Sequence, residues 1–345
     1  MPTLDSIPKH KLGANGPLIP ALGLGLMGLS HETYGATGTD EEKFQFLDRA
    51  HEIGARNWDT ADLYGDGEEL VGRWFKRTGK RDDIFLASKF GFVKGSKTYE
   101  VDSSYEYCKK ACNESLRLLG VESIDLYYMH HANPDTPIEE TMRALAELQA
   151  EGKIKHIGLS AVSSNTLRRA VKVAPVAAVQ SDYSPFVLDP ENAKGTNLIP
   201  TCRELGVAFF AAMPLGRGLI TPAFASGTLA DDEKDVRPRL MPRFLAENRE
   251  RNAGTVSSFQ SLAEAKGCTA PQLSLAWLLR QGDDIFPIPG TKRVAYLEQN
   301  WAALDVELSD EDVAEIRAFL EGAEIAGSAM PPGFEKYGYV NTREP

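Results

Sequence analysis

The segment IFLASK, residues 84–89, is a short apolar run that ends in a lysine, and IDLYYMH, residues 124–130, ends in a histidine in the same way. Six further runs have the composition of buried strands, at residues 21–25, 56–59, 156–160, 177–180, 208–212 and 285–287. Stretches with helical periodicity lie between the runs, at residues 40–53, 68–77, 103–119, 137–150, 163–173 and 196–205. Eight strands in succession, most of them followed by a helix, favour a closed parallel barrel over an open sheet, so the sequence predicts an α/β protein with a (β/α)8 TIM barrel.

Three segments fall outside this alternation of strands and helices. Residues 10–20, in which Asn15-Gly16 separates two short extended runs, predict an N-terminal β-hairpin that covers the floor of the barrel. A long loop follows the seventh strand at residues 213–254, and a tail rich in glycine, proline and aromatic residues begins near residue 322. We expect a single domain over residues 1–345, with a core at about 8–320 and a C-terminal tail at 321–345.

The composition is that of a globular protein with an acidic surface. The 345 residues are 42% hydrophobic and 25% charged, and 38 Lys and Arg stand against 49 Asp and Glu, a net charge of −11. Such a surface repels phosphodiester backbones, so nucleic acid is not expected as a partner. No apolar run approaches the roughly 18 residues of a membrane span, and four cysteines are too few for a disulfide framework. These features predict a cytoplasmic protein with no membrane partner, and they leave its oligomeric state open.

Polar side chains end five of the predicted strands. The apolar runs stop at Asp59, Lys89, His130, Ser160 and Gln180. The carboxyl ends of the strands in a parallel barrel open on one mouth, where barrel enzymes carry out their chemistry. A single polar end is explained by the exit of a strand into water, but five ends with different chemistries favour a functional site.

Four of the residues near these strand ends have the chemistry of a proton donor that faces a carbonyl oxygen. A phenol such as Tyr64 is a poor acid at neutral pH, but an ammonium within roughly 4–6 Å stabilises the phenolate and lowers the phenol pKa. We expect Lys89 to be that ammonium and Asp59 to keep it charged. His130 would donate a hydrogen bond to the oxygen on which negative charge develops. Such a site reduces a carbonyl only with a source of hydride, so a nicotinamide coenzyme is implied.

Seven segments of the chain resemble, in order and at similar separations, the motifs of the aldo-keto reductases. The segments are NWDTADLYG (57–65), IFLASKFG (84–91), IDLYYMHH (124–131), KIKHIGLSAVS (153–163), AVQSDYSPF (178–186), MPLGRGL (213–219) and PIPGTKRVAYLEQN (287–300). The resemblance covers roughly residues 8–320 and is strongest to the bacterial and fungal subgroup of the pyridoxal reductase and YakC-like type. It implies a barrel that binds NADP(H) across its mouth and reduces a small aldehyde or ketone.

The resemblance also implies a role for individual residues. Tyr64 would be the general acid and base, and Asp59 and Lys89 would tune it. His130 would orient the substrate carbonyl. The positions implied to bind NADP(H) are Ser160 and Gln180 at the nicotinamide carboxamide, followed by Gly25, Leu26, Met27, Leu215, Gly216, Arg217, Gly218, Gly290, Thr291, Lys292, Gln299 and Asn300.

Three positions depart from the pattern of the family. Ala212 stands where many members stack a tyrosine on the nicotinamide, and Ala161 stands where many have an asparagine. Tyr296 replaces a basic residue that commonly grips the 2′-phosphate, which leaves Lys292 and Arg293 for that contact. The expected preference for NADP over NAD therefore depends on those two cations.

The substrate pocket is expected to be formed by loop residues around the mouth. These residues are Leu29, Tyr34, Phe90, Phe92 and His131. They are mostly apolar or aromatic, which suits an aromatic or medium-sized aldehyde and does not identify one compound.

Two other functions remain open at this point. A lysine at the end of a barrel strand, such as Lys89, has the chemistry to form the Schiff base of an aldolase or lyase. A chain that binds the nucleotide without turnover would instead be a regulatory subunit. A metal is not expected, because His130 and His131 are neighbours in a predicted strand and would point to opposite faces of it.

Overall fold

Eight parallel strands form one curved sheet in the computed structural model, which describes residues 4–96, 98–228 and 233–345. Each strand of this sheet pairs with the next one along the chain. The strands are β3 (Leu24–Gly25), β4 (Asn57–Asp59), β5 (Phe85–Phe90), β6 (Ile124–Met129), β7 (Ile154–Ser160), β8 (Ala178–Asp182), β9 (Ala208–Ala212) and β10 (Ile285–Pro287). All eight predicted strands are therefore present.

The segments at the two edges of the sheet meet and close it into a ring. Gly23 N donates to Pro287 O over 2.8 Å, and Gly25 N donates to Pro289 O over 3.1 Å. Gly25 also pairs in parallel with Gly290. A Cβ atom on Gly25 would lie 3.1 Å from the carbonyl oxygen of Ile288, so glycine suits this close approach of two backbones. The predicted (β/α)8 barrel is confirmed.

Helices surround the barrel, and the six that were predicted agree with the observed α2 to α7 to within three residues at each end. Several begin at a serine or threonine whose side chain accepts from the first turn, as Thr39 does at α2. The helices are α1 (Met27–Ser30), α2 (Asp40–Glu52), α3 (Gly67–Thr78), α4 (Tyr105–Leu119), α5 (Ile138–Ala150), α6 (Ser164–Ala170), α7 (Leu198–Leu205), α8 (Pro222–Ala225), α9 (Arg237–Leu240), α10 (Ala246–Ala265), α11 (Ala270–Leu279), α12 (Val294–Trp301) and α13 (Asp310–Gly322).

The N-terminal hairpin consists of β1 (Lys9–Lys11) and β2 (Leu18–Pro20), which pair antiparallel. Leu12 and Ile19 are buried in the same cluster as the inward side chains of the barrel. Ala14 N donates to Gly206 O over 2.7 Å and fixes the hairpin to the amino end of β9. The hairpin therefore lies on the floor of the barrel, as predicted.

The long loop after β9 is shorter than predicted. Residues 213–254 were expected to lack regular structure, but α8 and α9 lie within this segment and α10 begins at Ala246. The start of α10 was missed because the helix is mostly polar, and only Asn252, Val256, Phe259 and Ala263 are buried along it. A helix with so narrow a buried face gives a weak periodic signal.

The C-terminal tail crosses the mouth of the barrel and is fixed at its far end. Val340 pairs in parallel with Val162, just beyond β7. The guanidinium of Arg169 in α6 donates to the carbonyl oxygens of Thr342 and Arg343 over 2.8 and 2.7 Å. These contacts position the aromatic residues of the tail at the open end of the barrel.

Candidate active site

The predicted catalytic side chains converge at the carboxyl ends of neighbouring strands. Asp59 is the last residue of β4, Lys89 is the penultimate residue of β5, and His130 directly follows β6. Tyr64 lies in the loop between β4 and α3, and its side chain reaches back to Lys89 and His130. None of the four is more than 9% exposed. The structure thus brings all four residues together in a largely dehydrated mouth.

The ammonium of Lys89 is fully buried and faces three oxygen atoms. It forms an ion pair with Asp59 Oδ1, donates to Thr60 O over 2.9 Å and lies 3.4 Å from Tyr64 Oη. Burial lowers the pKa of Lys89, but Asp59 and Tyr64 together raise the pKa by more, so it lies above the ordinary lysine value. Lys89 therefore remains charged beside the phenol at neutral pH.

The pKa of Tyr64 lies above the ordinary phenol value, which is opposite to the direction expected from the sequence. Burial raises this pKa most strongly, and the charge of Lys89 lowers it by less. The expected effect of the ammonium is present, but the loss of solvation of the phenolate outweighs it. Tyr64 therefore keeps its proton at neutral pH, which is the state that a proton donor requires.

His130 packs edge to face against Tyr64, with 5.6 Å between the ring centroids. Burial lowers the pKa of His130 well below its ordinary value, and the charge of Lys89 lowers it further. Its Nδ1 atom is buried and has no hydrogen-bond partner among the residues that the structure describes. His130 is therefore a neutral imidazole, which has one N–H to donate and one nitrogen to accept.

The prediction that His130 and His131 point to opposite faces of a strand is wrong. The two rings are stacked, with centroids 5.1 Å apart and an interplanar angle of 24°. The reason is that β6 ends at Met129, so the alternation of side chains along a strand does not extend to these two residues. His131 Nδ1 lies 3.2 Å from Tyr337 O in the tail, and burial lowers the pKa of His131 to about 4.

A cavity of about 590 Å³ opens beside Asp59 and Tyr64. Most of the residues implied to bind the coenzyme line it: Gly25, Met27, Gln180, Leu215, Arg217, Gly218, Gly290, Thr291, Lys292, Gln299 and Asn300. Three of the implied residues do not line it, namely Leu26, Ser160 and Gly216. Leu26 packs into the hydrophobic core, and Ser160 lies in register beside Gln180 on the neighbouring strand.

The expected substrate residues divide into two groups. Tyr34 lines the cavity, and the ring of Phe92 packs against His130 at 5.6 Å and His131 at 4.7 Å. Leu29 and Phe90 are instead buried in the core between strands and helices, so they are not expected to contact a substrate. Phe90 points away from the barrel interior because Lys89, its neighbour in β5, points inward.

Tyr99, Phe334 and Tyr337 complete the aromatic wall that Phe92 begins. The rings of Tyr99 and Tyr337 lie 6.2 and 5.9 Å from Phe92, and Phe334 lies 5.0 Å from Tyr99. Two of these four rings belong to the tail, which is far away in sequence. The wall therefore depends on how the tail folds back over the mouth.

Tyr34 joins three segments around the cavity. It pairs antiparallel with Asp235, its carbonyl oxygen accepts from Lys292 Nζ over 2.8 Å, and its hydroxyl lies 3.5 Å from Arg217 Nη1. Arg217 also forms an ion pair with Asp182 at 2.9 Å. Sequence reasoning missed Asp182 and Asp235. Gln180 was predicted as the end of a strand, but β8 continues to Asp182, and the alternation of side chains places Asp182 on the same side of the strand as Gln180.

Ala161 occupies the left-handed region of the backbone map, with φ of 56°. This conformation costs an alanine roughly 1–3 kcal/mol, whereas glycine adopts it freely. We expect Ala161→Gly to raise the free energy of unfolding by about 1 kcal/mol in denaturant titration. Ala178→Gly, at a buried alanine within β8, is the matched control and should lower that free energy by about 0.5–1 kcal/mol. Equal losses in both variants would contradict a strained Ala161.

Within residues 4–96, 98–228 and 233–345, no group of three or more His, Cys, Asp or Glu is placed to hold a metal ion. No helix in the same ranges has the length and apolar character needed to cross a membrane.

Comparison with known proteins gives a consistent family assignment. Residues 21–321 match the model of the aldo/keto reductase family. The chain is 47% identical over 343 residues to the NADP(+) aldo-keto reductase yakc of Schizosaccharomyces pombe, an alignment that covers 98% of each chain. It is 45% identical to the aldo-keto reductase str7 of Strobilurus tenacellus, which covers 93% of this chain and 94% of that one.

Two solved aldo-keto reductases have folds similar to this one. The thermostable aldo-keto reductase Tm1743, crystallised with the inhibitor epalrestat, has a TM-score of 0.72 and 29% identity, over 91% of this chain and 100% of that one. An aldo-keto reductase from Klebsiella pneumoniae, crystallised with NADPH, has a TM-score of 0.68 and 25% identity, over 92% of this chain and 96% of that one.

Proposed function

Because the chain belongs to the aldo/keto reductase family, we propose that it reduces an aldehyde or ketone to the corresponding alcohol with NADPH as the reductant. The observation that carries this proposal is the protonated Tyr64, held 3.4 Å from the charged Lys89 at the edge of the cavity. The names of a curated relative and of a solved neighbour, which specify NADP(+) and NADPH, support the choice of coenzyme.

The residues around the cavity fit a dinucleotide phosphate. Gly25 and Gly290 bring two backbones together beneath the cavity, where added side-chain atoms would reduce the space. Two cations, Lys292 and Arg293, lie just before α12 and line the cavity. No side chain caps the amino end of this helix by accepting a hydrogen bond from its first backbone amides. We assign the 2′-phosphate to this end of the cavity and the nicotinamide to the end near Gln180. When bound, NADPH would supply a hydride to the carbonyl carbon.

Three side chains would act on the carbonyl oxygen during reduction, namely those of Tyr64, His130 and Lys89. The neutral His130 donates a hydrogen bond that orients this oxygen and stabilises the negative charge that develops on it. Tyr64 then gives its proton to the same oxygen, and Lys89 stabilises the phenolate that remains. The burial of all three groups strengthens these interactions, because little water competes for them.

The environment of Lys89 argues against the Schiff-base alternative. A lysine must lose its proton to attack a carbonyl, but Asp59 and Tyr64 raise the pKa of Lys89 above its ordinary value. Its ammonium also faces Asp59, Thr60 O and Tyr64 Oη, and Lys89 does not line the cavity. We therefore assign Lys89 an electrostatic role.

The aromatic wall of the mouth indicates the substrate class. Phe92, Tyr99, Phe334 and Tyr337 present rings edge to face beside His130 and His131. Flat apolar walls favour an aromatic or medium-sized aldehyde through buried area, with little discrimination between similar compounds.

An NADPH-oxidation screen over aldehydes, ketones and pyridoxal tests the proposed function. We expect turnover of at least one aromatic aldehyde, and a lower rate with NADH, because NADH lacks the phosphate that Lys292 and Arg293 would bind. NADPH binding without turnover of any carbonyl compound would contradict an enzyme and favour a regulatory subunit. Borohydride trapping of a substrate on Lys89 without NADPH binding would favour a lyase.

A further inference from the structure

The carboxylate of Asp59 is held from two sides. One oxygen forms the ion pair with Lys89, and the other accepts from Gln180 Nε2 over 2.9 Å. Gln180 is 5% exposed and lies in β8, on the opposite side of the barrel from β4. Gln180 therefore touches the group that supports Lys89, in addition to lining the cavity.

Tyr128 lies in the interior of the barrel, in β6, where it pairs in register with Lys89 of β5. Its ring fills the space left by Gly158, where a Cβ atom would be 2.3 Å from Tyr128 Cδ1. Its hydroxyl is buried and interacts with the side chain of Gln180, an interaction that lowers the pKa of this phenol. Burial raises the pKa of Tyr128 well above the phenol value, and the charge of Asp59 raises it further, so this hydroxyl stays protonated.

We propose that Gln180 is a positioning residue for the proton donor, which acts through Asp59 on Lys89 and Tyr64, and that the hydroxyl of Tyr128 supports it. The inference rests on the proposed reduction for its kinetic consequence only. The family resemblance implies that Gln180 contacts the nicotinamide carboxamide, a role that requires bound coenzyme. The inference instead predicts that Gln180 affects the ionisation of Tyr64 even in the coenzyme-free protein.

In Gln180→Met, the buried carboxylate of Asp59 would lose one of its two side-chain donors. A hydrogen bond to the charged form of an acid stabilises that form, and burial works against it. Without the Gln180 amide, the charged Asp59 carboxylate is fixed at one oxygen only, so it is free to rotate and holds the Lys89 ammonium less firmly beside Tyr64. Tyr64 then loses part of the positive charge that lowers its pKa, so it becomes a weaker proton donor.

Gln180→Met, Tyr128→Phe and Ser160→Ala form a matched set for the test. Ser160 pairs in register with Gln180 and is implied to share its carboxamide contact, but Ser160 has no bond to Asp59. We expect Gln180→Met to lower kcat by roughly 10- to 100-fold, a larger factor than its rise in KM for NADPH. Ser160→Ala should show the reverse split, with the larger effect on KM for NADPH. Tyr128→Phe should resemble Gln180→Met with a smaller effect.

A titration of the coenzyme-free protein gives a second measurement that does not depend on activity. Ultraviolet absorbance follows the ionisation of tyrosines, and the step that disappears in Tyr64→Phe belongs to Tyr64. We expect this step to move to higher pH in Gln180→Met and to keep its parental position in Ser160→Ala. If the parent reduces no carbonyl compound, the proposed function fails, but this titration still tests the inference.

Two results would overturn the inference. One is an unchanged Tyr64 ionisation in Gln180→Met, and the other is the same split between kcat and KM in Gln180→Met and Ser160→Ala. If Gln180→Met does not fold, Tyr128→Phe decides, because it keeps the ring against Gly158 and removes only the hydroxyl. A shift in the same direction supports the inference, and no shift overturns it.

Discussion

Tyr64→Phe is expected to lower kcat for carbonyl reduction by roughly 10³-fold, a loss within the range for removal of a general acid. The substitution removes the hydroxyl that would give its proton to the carbonyl oxygen and leaves the ring in place against His130. Tyr64 also lies at one edge of a cavity whose lining contains many other residues, so NADPH binding should be nearly intact. Stopped-flow absorbance gives the reduction rate, and quenching of protein fluorescence gives the affinity for NADPH.

Tyr105→Phe is a control for the loss of a tyrosine hydroxyl. The Tyr105 hydroxyl contacts Glu147 on the outer surface, between α4 and α5, and Tyr105 does not line the cavity. This variant should reduce carbonyl compounds at the parental rate. A Tyr64→Phe protein that also retained the parental rate would remove Tyr64 from its assigned role, and a joint loss of turnover and NADPH binding would indicate a structural defect.

Lys89→Met is expected to lower kcat at neutral pH by roughly 10²-fold or more, because Tyr64 would lose the charge that stabilises its phenolate. The same change leaves Asp59 as a buried charge without its cation, which costs about 3–5 kcal/mol of folding free energy. The rate and the free energy of unfolding should therefore both fall. A pH–rate profile identical to that of the parent would contradict the role of Lys89.

The double variant Asp59→Asn with Lys89→Met separates the two effects. It contains neither partner of the buried ion pair, so much of the lost folding free energy should return. The reduction rate should remain low, because the cation beside Tyr64 is still missing. Recovery of the rate together with stability would mean that Lys89 contributes only to folding.

The stability of the parent should depend on this ion pair in a defined pH range. The pKa of Lys89 is raised on folding, so the stabilisation it provides is fully present below its unfolded pKa. That stabilisation is lost as the pH rises through the pKa of the folded state. The comparison of parent and Lys89→Met is therefore made near neutral pH, where the whole effect is present.

The barrel could be predicted from the sequence because its signals are local. Each buried strand is a short apolar run, and the runs at β5 and β6 end in Lys89 and His130 at the carboxyl side. The alternation of side chains in a strand then places Lys89 inward and Phe90 outward. The prediction that Phe90 lines the substrate pocket did not take this alternation into account. The convergence of Asp59, Lys89 and His130 follows from the topology alone.

The features that could not be predicted depend on distant parts of the chain. The net direction of the Tyr64 pKa depends on how completely the mouth excludes water, which no local pattern reports. The stacked pair His130 and His131 depends on the point at which β6 ends and on the tail residue Tyr337, which bonds to His131. The contacts of Tyr34 join segments about 200 residues apart, such as the pair with Asp235.

The most direct measurement of the central claim is a single turnover with NADPH that carries deuterium at the transferred position of the nicotinamide. In the parent protein, we predict that the alcohol contains deuterium at the former carbonyl carbon, that its hydroxyl proton comes from the solvent-exchangeable pool, and that Tyr64→Phe slows product formation by roughly 10³-fold. An alcohol without deuterium, or equal rates of formation in the parent and Tyr64→Phe, would contradict hydride transfer with proton donation by Tyr64.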